Sequence, residues 1–317
     1  MIEVTNLVRR YGPHIAVDHA SFKIEKGEIV GFLGPNGAGK STTMNILTGY
    51  LSSTEGTVRV GGMDILEHPD EIKKKMGYLP ENPPLYPDMT VNEYLSFASE
   101  IKQIPKLEKK DRMNRIMETV GIADVSGRLI KNLSKGYKQR VGLAQAMIGD
   151  PEILVFDEPT AGLDPKQIME IRDLITRLGK DHTIILSSHI LPEVSAVCKR
   201  ILIINRGIIV ADDTPKNLAK RILGGNRIRL RVDGSEEAVK TALQNIPAVA
   251  SLEFMESPES GTSELTASAS MEGGEETDIR RDIFRALSAA SLPILLMQSE
   301  DMSLEEIFLN LTTKEEK

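Results

Sequence analysis

The chain has 317 residues, of which 40% are hydrophobic and 27% charged. This is an ordinary globular composition, long enough for one large domain and a smaller one. The formal charge of −7 is uneven: residues 226–317 hold 9 basic and 18 acidic side chains, so they carry −9 and the first 225 residues carry +2. Because an acidic domain repels phosphate backbones and anionic lipid surfaces, we expect no nucleic-acid partner.

Cysteine content and hydropathy restrict the cellular setting. Cys198 is the only cysteine, so an internal disulfide and a zinc site built from thiolates are excluded. The sequence has no apolar run approaching the roughly 18 residues that cross a bilayer, and "MIEVTNLVRRYG" lacks the apolar region of a signal peptide. We therefore expect a cytoplasmic protein that reaches a membrane only through a separate chain.

Short runs of Ile, Val and Leu predict strands that are buried on both faces: "EIVGFLG", "EILVFDE", "TIILSSH" and "RILIINRG". Helical stretches such as "KSTTMNILTGY" and "KQIMEIRDLITRLGK" lie between them. This alternation predicts an α/β domain over residues 1–222, with a mostly parallel sheet. Residues 82–148 have no comparable strand run and predict a helical subdomain, in which Thr90 and Glu93 form a capping box at one helix start.

A second domain is predicted over residues 226–317, after a hinge at Gly224 and Gly225. Its pattern is strand, helix, strand, strand, helix, strand, which is typical of a small α+β domain of the ferredoxin-like kind. The predicted elements are 228–232, 236–244, 249–255, 263–270, 278–288 and 293–298, followed by a closing helix capped by Ser303 with Glu306.

The stretch "GFLGPNGAGKSTT" follows a predicted strand and opens a helix. Glycines let the backbone wrap closely around an anion, and the helix N-terminus adds a positive dipole end. At this spacing the lysine reaches the β and γ phosphates of a nucleotide and the serine hydroxyl binds Mg²⁺. The alternative interpretation is a plain glycine turn before a helix. From average residue frequencies, this spacing of Gly, Gly, Lys and Ser arises by chance in roughly 1% of chains of this length. The predicted nucleotide-binding residues are Gly34, Pro35, Asn36, Gly37, Ala38, Gly39, Lys40, Ser41 and Thr42.

Two adjacent carboxylates, Asp157 and Glu158, end the predicted strand in "ILVFDEPT". Like charges at a buried strand end need a compensating partner. The ends of parallel strands meet at the edge of the sheet where ligands bind, so the phosphate loop supplies this partner. We expect Asp157 to hold the Mg²⁺ of the nucleotide and Glu158 to take the proton from the water that attacks the γ phosphate.

The segment "LSKGYKQR", together with these motifs, resembles the signature of ABC transporter ATPase subunits, usually written LSGGQ, and the resemblance runs from residue 1 to about residue 222. It implies a P-loop ATPase fold, ATP and Mg²⁺ as ligands, and two chains that sandwich two ATP molecules. It also implies that Tyr11 stacks on adenine, that Asp164 lies in the loop crossing between subunits, and that His189 is the switch histidine beside the catalytic residues Glu158 and Lys40. If the resemblance is set aside, a simpler interpretation is that Tyr11 is an exposed turn residue and that His189 is a structural residue at a strand end.

The same resemblance assigns Ser134 and Gly136 to the γ phosphate held by the partner subunit. Lys135 and Tyr137 replace the family's Gly and Gln in this signature, and we expect activity to survive because the contacting groups are retained. Glu81, in "GYLPENPPLYPD", stands where the family usually has Gln. A carboxylate binds Mg²⁺ more strongly than an amide does, so we predict that Glu81 is a metal ligand and tightens the Mg²⁺ dependence of activity.

The family resemblance implies an ATPase subunit, peripheral on the inner face of the cell membrane, that drives a separate membrane permease. Because one chain holds all the catalytic parts, we expect a homodimer with two complete sites, and pairing with a different ATPase stays open. Leu85 and Tyr86 would line the docking groove for a permease helix. The ending "SLEEIFLNLT" resembles the tail of ATPases that serve drug, lipid and gliding-related export, and "LPENPPLYPDM" with "LSKGY" favours the gliding-associated group.

Two other function classes remain open. A soluble ABC ATPase of DNA repair, chromosome organisation or translation would carry long coiled-coil or zinc-bearing inserts, or two cassettes in one chain. Here the interval between the phosphate loop and the signature is short and free of cysteine, and the chain has one cassette. A purely regulatory nucleotide-binding module would lack the base, whereas Glu158 is present.

Overall fold

The computed structural model describes residues 1–218, 227–269, 271–272, 275–276 and 278–299. The chain divides into two compact units, Met1–Thr214 and Pro215–Lys317. The predicted boundary at residue 222, the predicted hinge at Gly224 and Gly225, and the predicted closing helix with its cap at Ser303 and Glu306 lie outside the described residues.

Six strands form the central sheet of the first unit. In spatial order they are β10 (Ile208–Asp213), β9 (Arg200–Asn205), β3 (Ile29–Leu33), β8 (Thr183–Ser188), β7 (Ile153–Asp157) and β6 (Met76–Leu79). Neighbouring strands are parallel except β10 and β9. Every residue of β7 and β8 is buried, which agrees with the consecutive apolar side chains of these strands.

A second, antiparallel sheet contains β2 (His14–Ile24), β1 (Ile2–Tyr11), β4 (Glu55–Val60) and β5 (Met63–Asp64), in that order. One hydrophobic core joins the two sheets and helix α1 (Lys40–Leu47), and it includes Met44 and Val155. The rings of Phe22 and Phe32 pack in this core with their centres 5.7 Å apart. The antiparallel sheet is thereby held against the strand that precedes the phosphate loop.

Helices occupy the chain between β6 and β7, where the sequence predicts a helical segment. They are α3 (Val91–Ile101), α4 (Lys106–Val120) and α5 (Lys135–Met147), with short 3₁₀ turns at Ala123–Val125 and Ile130–Asn132. The predicted capping box is confirmed: the Thr90 hydroxyl accepts from the Glu93 N–H, and the Glu93 carboxylate accepts from the Thr90 N–H. The other helices of this unit are α2 (Pro69–Lys75), α6 (Pro165–Leu178) and α7 (Leu191–Ser195).

In the described part of the second unit, the main elements follow the order strand, helix, strand, strand, helix, strand. Its main elements are β11 (Arg227–Asp233), α8 (Glu236–Leu243), β12 (Val249–Met255), β13 (Thr262–Ala269), α9 (Arg280–Ala289) and β16 (Ile294–Ser299). The strands form an antiparallel sheet in the order β12, β13, β11, β16. Helices α8 and α9 pack on one face of it, where Leu230, Leu243 and Ile283 are buried in a core of this unit. A small ladder of β14 (Met271–Glu272) and β15 (Glu275–Glu276) was not predicted.

Candidate functional site

The loop between β3 and α1 is shaped by glycine. Gly37 and Gly39 have positive φ angles of 80° and 106°, and a Cβ at Gly39 would lie 2.3 Å from the Ala16 carbonyl oxygen. Gly39 is the N-cap residue of α1, so no side chain among the described residues caps this helix, and its first turn holds no acidic residue. The N–H groups of this turn are therefore free to bind an anion.

Lys40 is buried at the base of this loop, and its side chain is 6% exposed. The Nζ atom donates to the carbonyl oxygens of Gly34, at 2.8 Å, and Pro35, at 3.2 Å. It also lies 3.4 Å from Oε1 of Glu158. The predicted phosphate-binding lysine and the predicted base are thus direct neighbours.

Strand order explains why these residues meet. β8 lies between β3 and β7, and the parallel register sets Ser187 beside Asp157 and Ser188 beside Leu33. The phosphate loop, the acidic pair and His189 therefore emerge at one edge of the sheet. The sequence predicts a shared edge, but the position of β8 between the other two strands comes from the structure.

Glu158 follows β7 in a left-handed backbone conformation, with φ 49°, which non-glycine residues rarely adopt. Its N–H donates to the Ser187 hydroxyl at 2.9 Å. Its Oε2 atom lies 3.0 Å from Nδ1 of His189. Because an ionised carboxylate only accepts hydrogen bonds, the tautomer that forms this bond carries its proton on Nδ1. The buried carboxylate therefore faces a proton donor on one side and Lys40 on the other.

Asp157 is 2% exposed, and its Oδ1 atom accepts a hydrogen bond from the Ser187 hydroxyl at 2.5 Å. Burial raises the pKa of Asp157, and the charge of Glu158 raises it further, while hydrogen bonds from Ser187 and Ser41 and the charge of Lys40 oppose this rise. Hydroxyl groups and a lysine thus compensate the acidic pair alongside the Mg²⁺ that the sequence predicts.

The donor set at this edge fits Mg²⁺ bound together with phosphate oxygens. Asp157 and Ser41 supply one carboxylate and one hydroxyl, whereas Mg²⁺ usually takes few protein ligands and completes its shell with phosphates and water. In the part of the chain that the structure describes, no cluster of three or more His, Cys, Asp and Glu side chains could hold a metal ion alone.

A cavity of about 520 Å³ opens above the phosphate loop. It brings together Tyr11, Glu81, Glu158 and His189, which come from four separate segments. The loop residues in its wall are Asn36, Gly37, Gly39, Lys40, Ser41 and Thr42. Sequence reasoning missed three further lining residues, His14, Ala16 and Ala161; His14 pairs with Tyr11 across the β1–β2 hairpin.

Tyr11 is 44% exposed at the end of β1. The Arg9 guanidinium lies 4.8 Å from the centre of the Tyr11 ring, and Arg9 Nη1 donates to the Ser52 carbonyl oxygen at 2.9 Å. Arg9 does not line the cavity, so it supports the ring from outside it. The contact between Arg9 and Tyr11 agrees with their two-residue spacing, because alternate residues of a strand lie on the same face.

The signature residues and Asp164 lie away from this cavity. The Ser134 hydroxyl caps α5 and accepts from the Tyr137 N–H, while Asp164 caps α6 and accepts from the Gln167 N–H at 2.9 Å. A Cβ at Gly136 would lie 2.7 Å from the end of the Gln167 side chain, so a larger residue there would require Gln167 to move.

Lys135 contacts the loop before α6, because a Cβ at Gly162 would lie 2.1 Å from Lys135 Nζ. The Tyr137 hydroxyl donates to Asp124 at 3.2 Å. The two residues that depart from the family signature are therefore engaged within their own chain.

A second cavity, of about 1100 Å³, shares Ser41 and Glu81 with the first. Leu85 and Tyr86, the predicted docking residues, are outside its lining, although Pro84 is part of it. Tyr86 is 50% exposed and packs edge-on against Phe97, with ring centres 5.6 Å apart.

A glycine-rich loop with a buried lysine, beside an acidic strand end on a parallel sheet, defines a P-loop nucleoside triphosphatase. The family model described as "ABC transporter" matches residues 17–161. The linearmycin resistance ATP-binding protein LnrL of Bacillus subtilis (strain 168) is 32% identical over 313 residues, which are 98% of each chain. The chain belongs to the family of ABC transporter ATP-binding proteins and is an ATPase.

Two further relatives agree with this assignment. The bacitracin transport ATP-binding protein BcrA of Bacillus licheniformis is 37% identical over 223 residues, covering 70% of this chain and 72% of BcrA. The dimeric structure of MJ0796, a bacterial ABC transporter cassette, superposes with a TM-score of 0.63 at 25% identity, covering 68% of this chain and 98% of that one. These names leave the gliding-associated assignment a prediction.

Proposed function

We propose that two copies of this chain sandwich two ATP molecules and drive a separate membrane permease that exports its cargo. The main observation in support is that Glu158 lies in the cavity wall, in contact with both Lys40 and His189, whereas the signature residues lie outside that cavity. A second chain would then complete each site with its signature. The dimeric cassette supports this pairing.

Relatives named for linearmycin resistance and bacitracin transport support export as the direction. No helix within the described ranges is long and apolar enough to cross a membrane. Under this proposal the chain acts on the inner face of the cell membrane, where the permease holds it.

The side chains have distinct roles in this proposal. Lys40 and the N–H groups at the start of α1 bind the phosphates, and Tyr11 stacks on adenine. Glu158 accepts the proton of the attacking water, and His189 holds the Glu158 carboxylate through Nδ1. Ser41, Asp157 and Glu81 would hold Mg²⁺, which neutralises phosphate charge when it is bound.

Replacing the base tests this proposal. In Glu158→Gln we expect ATP binding and ATP-dependent dimers to persist while kcat falls about 10²- to 10⁴-fold, the usual contribution of a general base. Glu152→Gln is the matched control, because Glu152 lies just before β7 and pairs with Lys75 at 3.9 Å, away from the cavity. Full turnover by Glu158→Gln would refute the assignment of the base.

The partner is tested by affinity purification of the full chain from detergent-solubilised membranes. We expect a permease chain to co-purify in stoichiometric amount. Recovery of nucleic acid or ribosomes in its place would favour a soluble ABC ATPase of DNA repair, chromosome organisation or translation.

A further inference from the structure

We propose that Ser187 is a positioning residue for ATP hydrolysis, which orients both site carboxylates through one hydroxyl group. Ser187 is fully buried near the end of β8, between the strand of the phosphate loop and the strand of the acidic pair. The inference rests on the proposed role of Glu158 as the base.

The hydrogen bonds of this hydroxyl are all accounted for. Ser187 Oγ accepts from the Glu158 N–H at 2.9 Å and lies 2.5 Å from Asp157 Oδ1, to which it donates. A serine hydroxyl has one proton, so donation to Asp157 fixes its direction and leaves its lone pairs to the Glu158 N–H. One side chain therefore sets the backbone of Glu158 and the rotation of the Asp157 carboxylate.

The Glu158 backbone needs such an anchor. Its φ of 49° lies in the left-handed region, which is populated at functional sites when surrounding contacts over-determine it. This turn directs the Glu158 carboxylate toward Lys40 and His189. Loss of the Ser187 hydroxyl would leave the buried N–H of Glu158 without its acceptor and would remove one restraint on the turn.

The neighbouring hydroxyl on β8 has a different function. Ser188 Oγ accepts from the Ile190 N–H at 3.0 Å and lies 3.5 Å from Glu193, so it serves the turn into α7. His189 contacts the Glu158 carboxylate directly. β8 and the residue that follows it thus contact Glu158 twice, at the backbone through Ser187 and at the side chain through His189.

The test compares Ser187→Ala, Ser187→Thr and Thr183→Val in the full chain. Thr183 is the matched control, because it is also buried on β8 and its hydroxyl accepts from a backbone N–H, that of Gly27 at 2.9 Å, at the far end of the strand. Steady-state kinetics, ATP binding without Mg²⁺ and thermal unfolding are measured for each variant.

We expect Ser187→Ala to lower kcat about 10²-fold, the size of effect that misplacing a catalytic group by an ångström produces. The KM for ATP and the binding of ATP without Mg²⁺ should stay within about twofold of the parent, because the phosphate loop is untouched. Ser187→Thr keeps the hydroxyl and should recover most of kcat. Thr183→Val should lower the unfolding temperature while keeping kcat.

A double variant separates this inference from the proposed base. Because Glu158 is one of the two residues that Ser187 positions, the combined kcat loss of Ser187→Ala with Glu158→Gln should be smaller than the product of the two single losses. The role of Ser187 would be overturned if the two kcat losses multiplied fully in the double variant, or if Ser187→Ala left kcat unchanged. It would also be overturned if Ser187→Thr were as slow as Ser187→Ala, or if Thr183→Val lost as much kcat as Ser187→Ala. Full turnover by Glu158→Gln alone would instead refute the base.

Discussion

Arg9 stacks behind Tyr11 and gives the predicted adenine platform a fixed orientation. The guanidinium is held at Ser52, and its distance of 4.8 Å from the ring centre is suited to a cation–π contact. A ring that is already oriented loses less side-chain entropy when a base stacks on it. Arg9 should therefore contribute to nucleotide affinity without touching the nucleotide.

In Arg9→Ala we expect the Kd for ATP to rise about two- to fivefold, which corresponds to the ~0.5–1 kcal/mol of a partly exposed cation–π contact. The Kd for inorganic tripolyphosphate should not change, since this probe has no base to stack. Arg10→Ala is the matched control, because Arg10 pairs with Glu55 at 3.6 Å. Isothermal titration measures both ligands, and equal losses for the two would contradict the stacking role.

Glu81 lines the same cavity as Ser41 and Glu158. If it is a metal ligand, Glu81→Gln should need more Mg²⁺ for half-maximal activity, because an amide binds this ion less strongly than a carboxylate. A Mg²⁺ titration of ATP hydrolysis at saturating ATP measures the shift. Identical titration curves for the two proteins would count against Glu81 as a ligand.

In the second unit, charged side chains on the neighbouring strands β11 and β13 form ion pairs across the sheet. Glu264 on β13 is 2% exposed and accepts from Arg229 Nε at 2.7 Å and Arg231 Nε at 3.1 Å. The Arg229 hydrogen bond, followed by that of Arg231, lowers the pKa of Glu264 below its ordinary value of 4.5. This cross-strand cluster links β11 and β13 through residues that are 33 and 35 positions apart in the chain.

The sign of this shift predicts an acid-sensitive second unit. A lowered pKa in the folded state stabilises that state above the ordinary carboxyl pKa, and the stabilisation is lost as pH falls from there through the lowered pKa of Glu264. In Glu264→Gln, denaturant unfolding should therefore depend less on pH below about pH 5. Glu253→Gln is the control, since Glu253 is exposed and pairs with Arg227 at 2.8 Å. An unchanged acid dependence in Glu264→Gln would contradict this account.

For the whole molecule, the separation of the signature from the phosphate-loop cavity has the largest consequence. Ser134, Gly136 and Asp164 do not line the cavity that contains Lys40 and Glu158. Under the proposed function, one chain would therefore present two halves of a site rather than a complete one. The proposed dimer would join the halves of different chains, as an isologous pair with two equivalent sites does.

Mixing two inactive variants tests this arrangement. Lys40→Ala removes the phosphate lysine and Ser134→Arg blocks the signature, so each alone should have lost hydrolysis. In a heterodimer one site combines the intact lysine of one chain with the intact signature of the other. The equimolar mixture should therefore hydrolyse ATP faster than either variant alone. A mixture as inactive as its components, with heterodimers shown by cross-linking, would refute the shared site.

Much of the first unit was predictable because its signals are local. Runs of apolar residues mark β3, β7, β8 and β9, and the Thr90–Glu93 capping box marks a helix start, since each depends on residues a few positions apart. The glycine spacing around Lys40 likewise predicts the phosphate loop, because positive φ angles and close backbone approach demand glycine there.

Pairing between distant segments needed the tertiary structure. Ser187 is 30 residues from Asp157, and only the strand order, with β8 between β3 and β7, brings its hydroxyl to the Asp157 carboxylate and the Glu158 N–H. The contact of Arg9 with Ser52 spans 43 residues and likewise leaves no trace in local spacing. Such contacts form only in the strand arrangement that buries the most apolar surface while satisfying its hydrogen bonds. The free energy of that arrangement depends on the whole folded chain and not on any local segment.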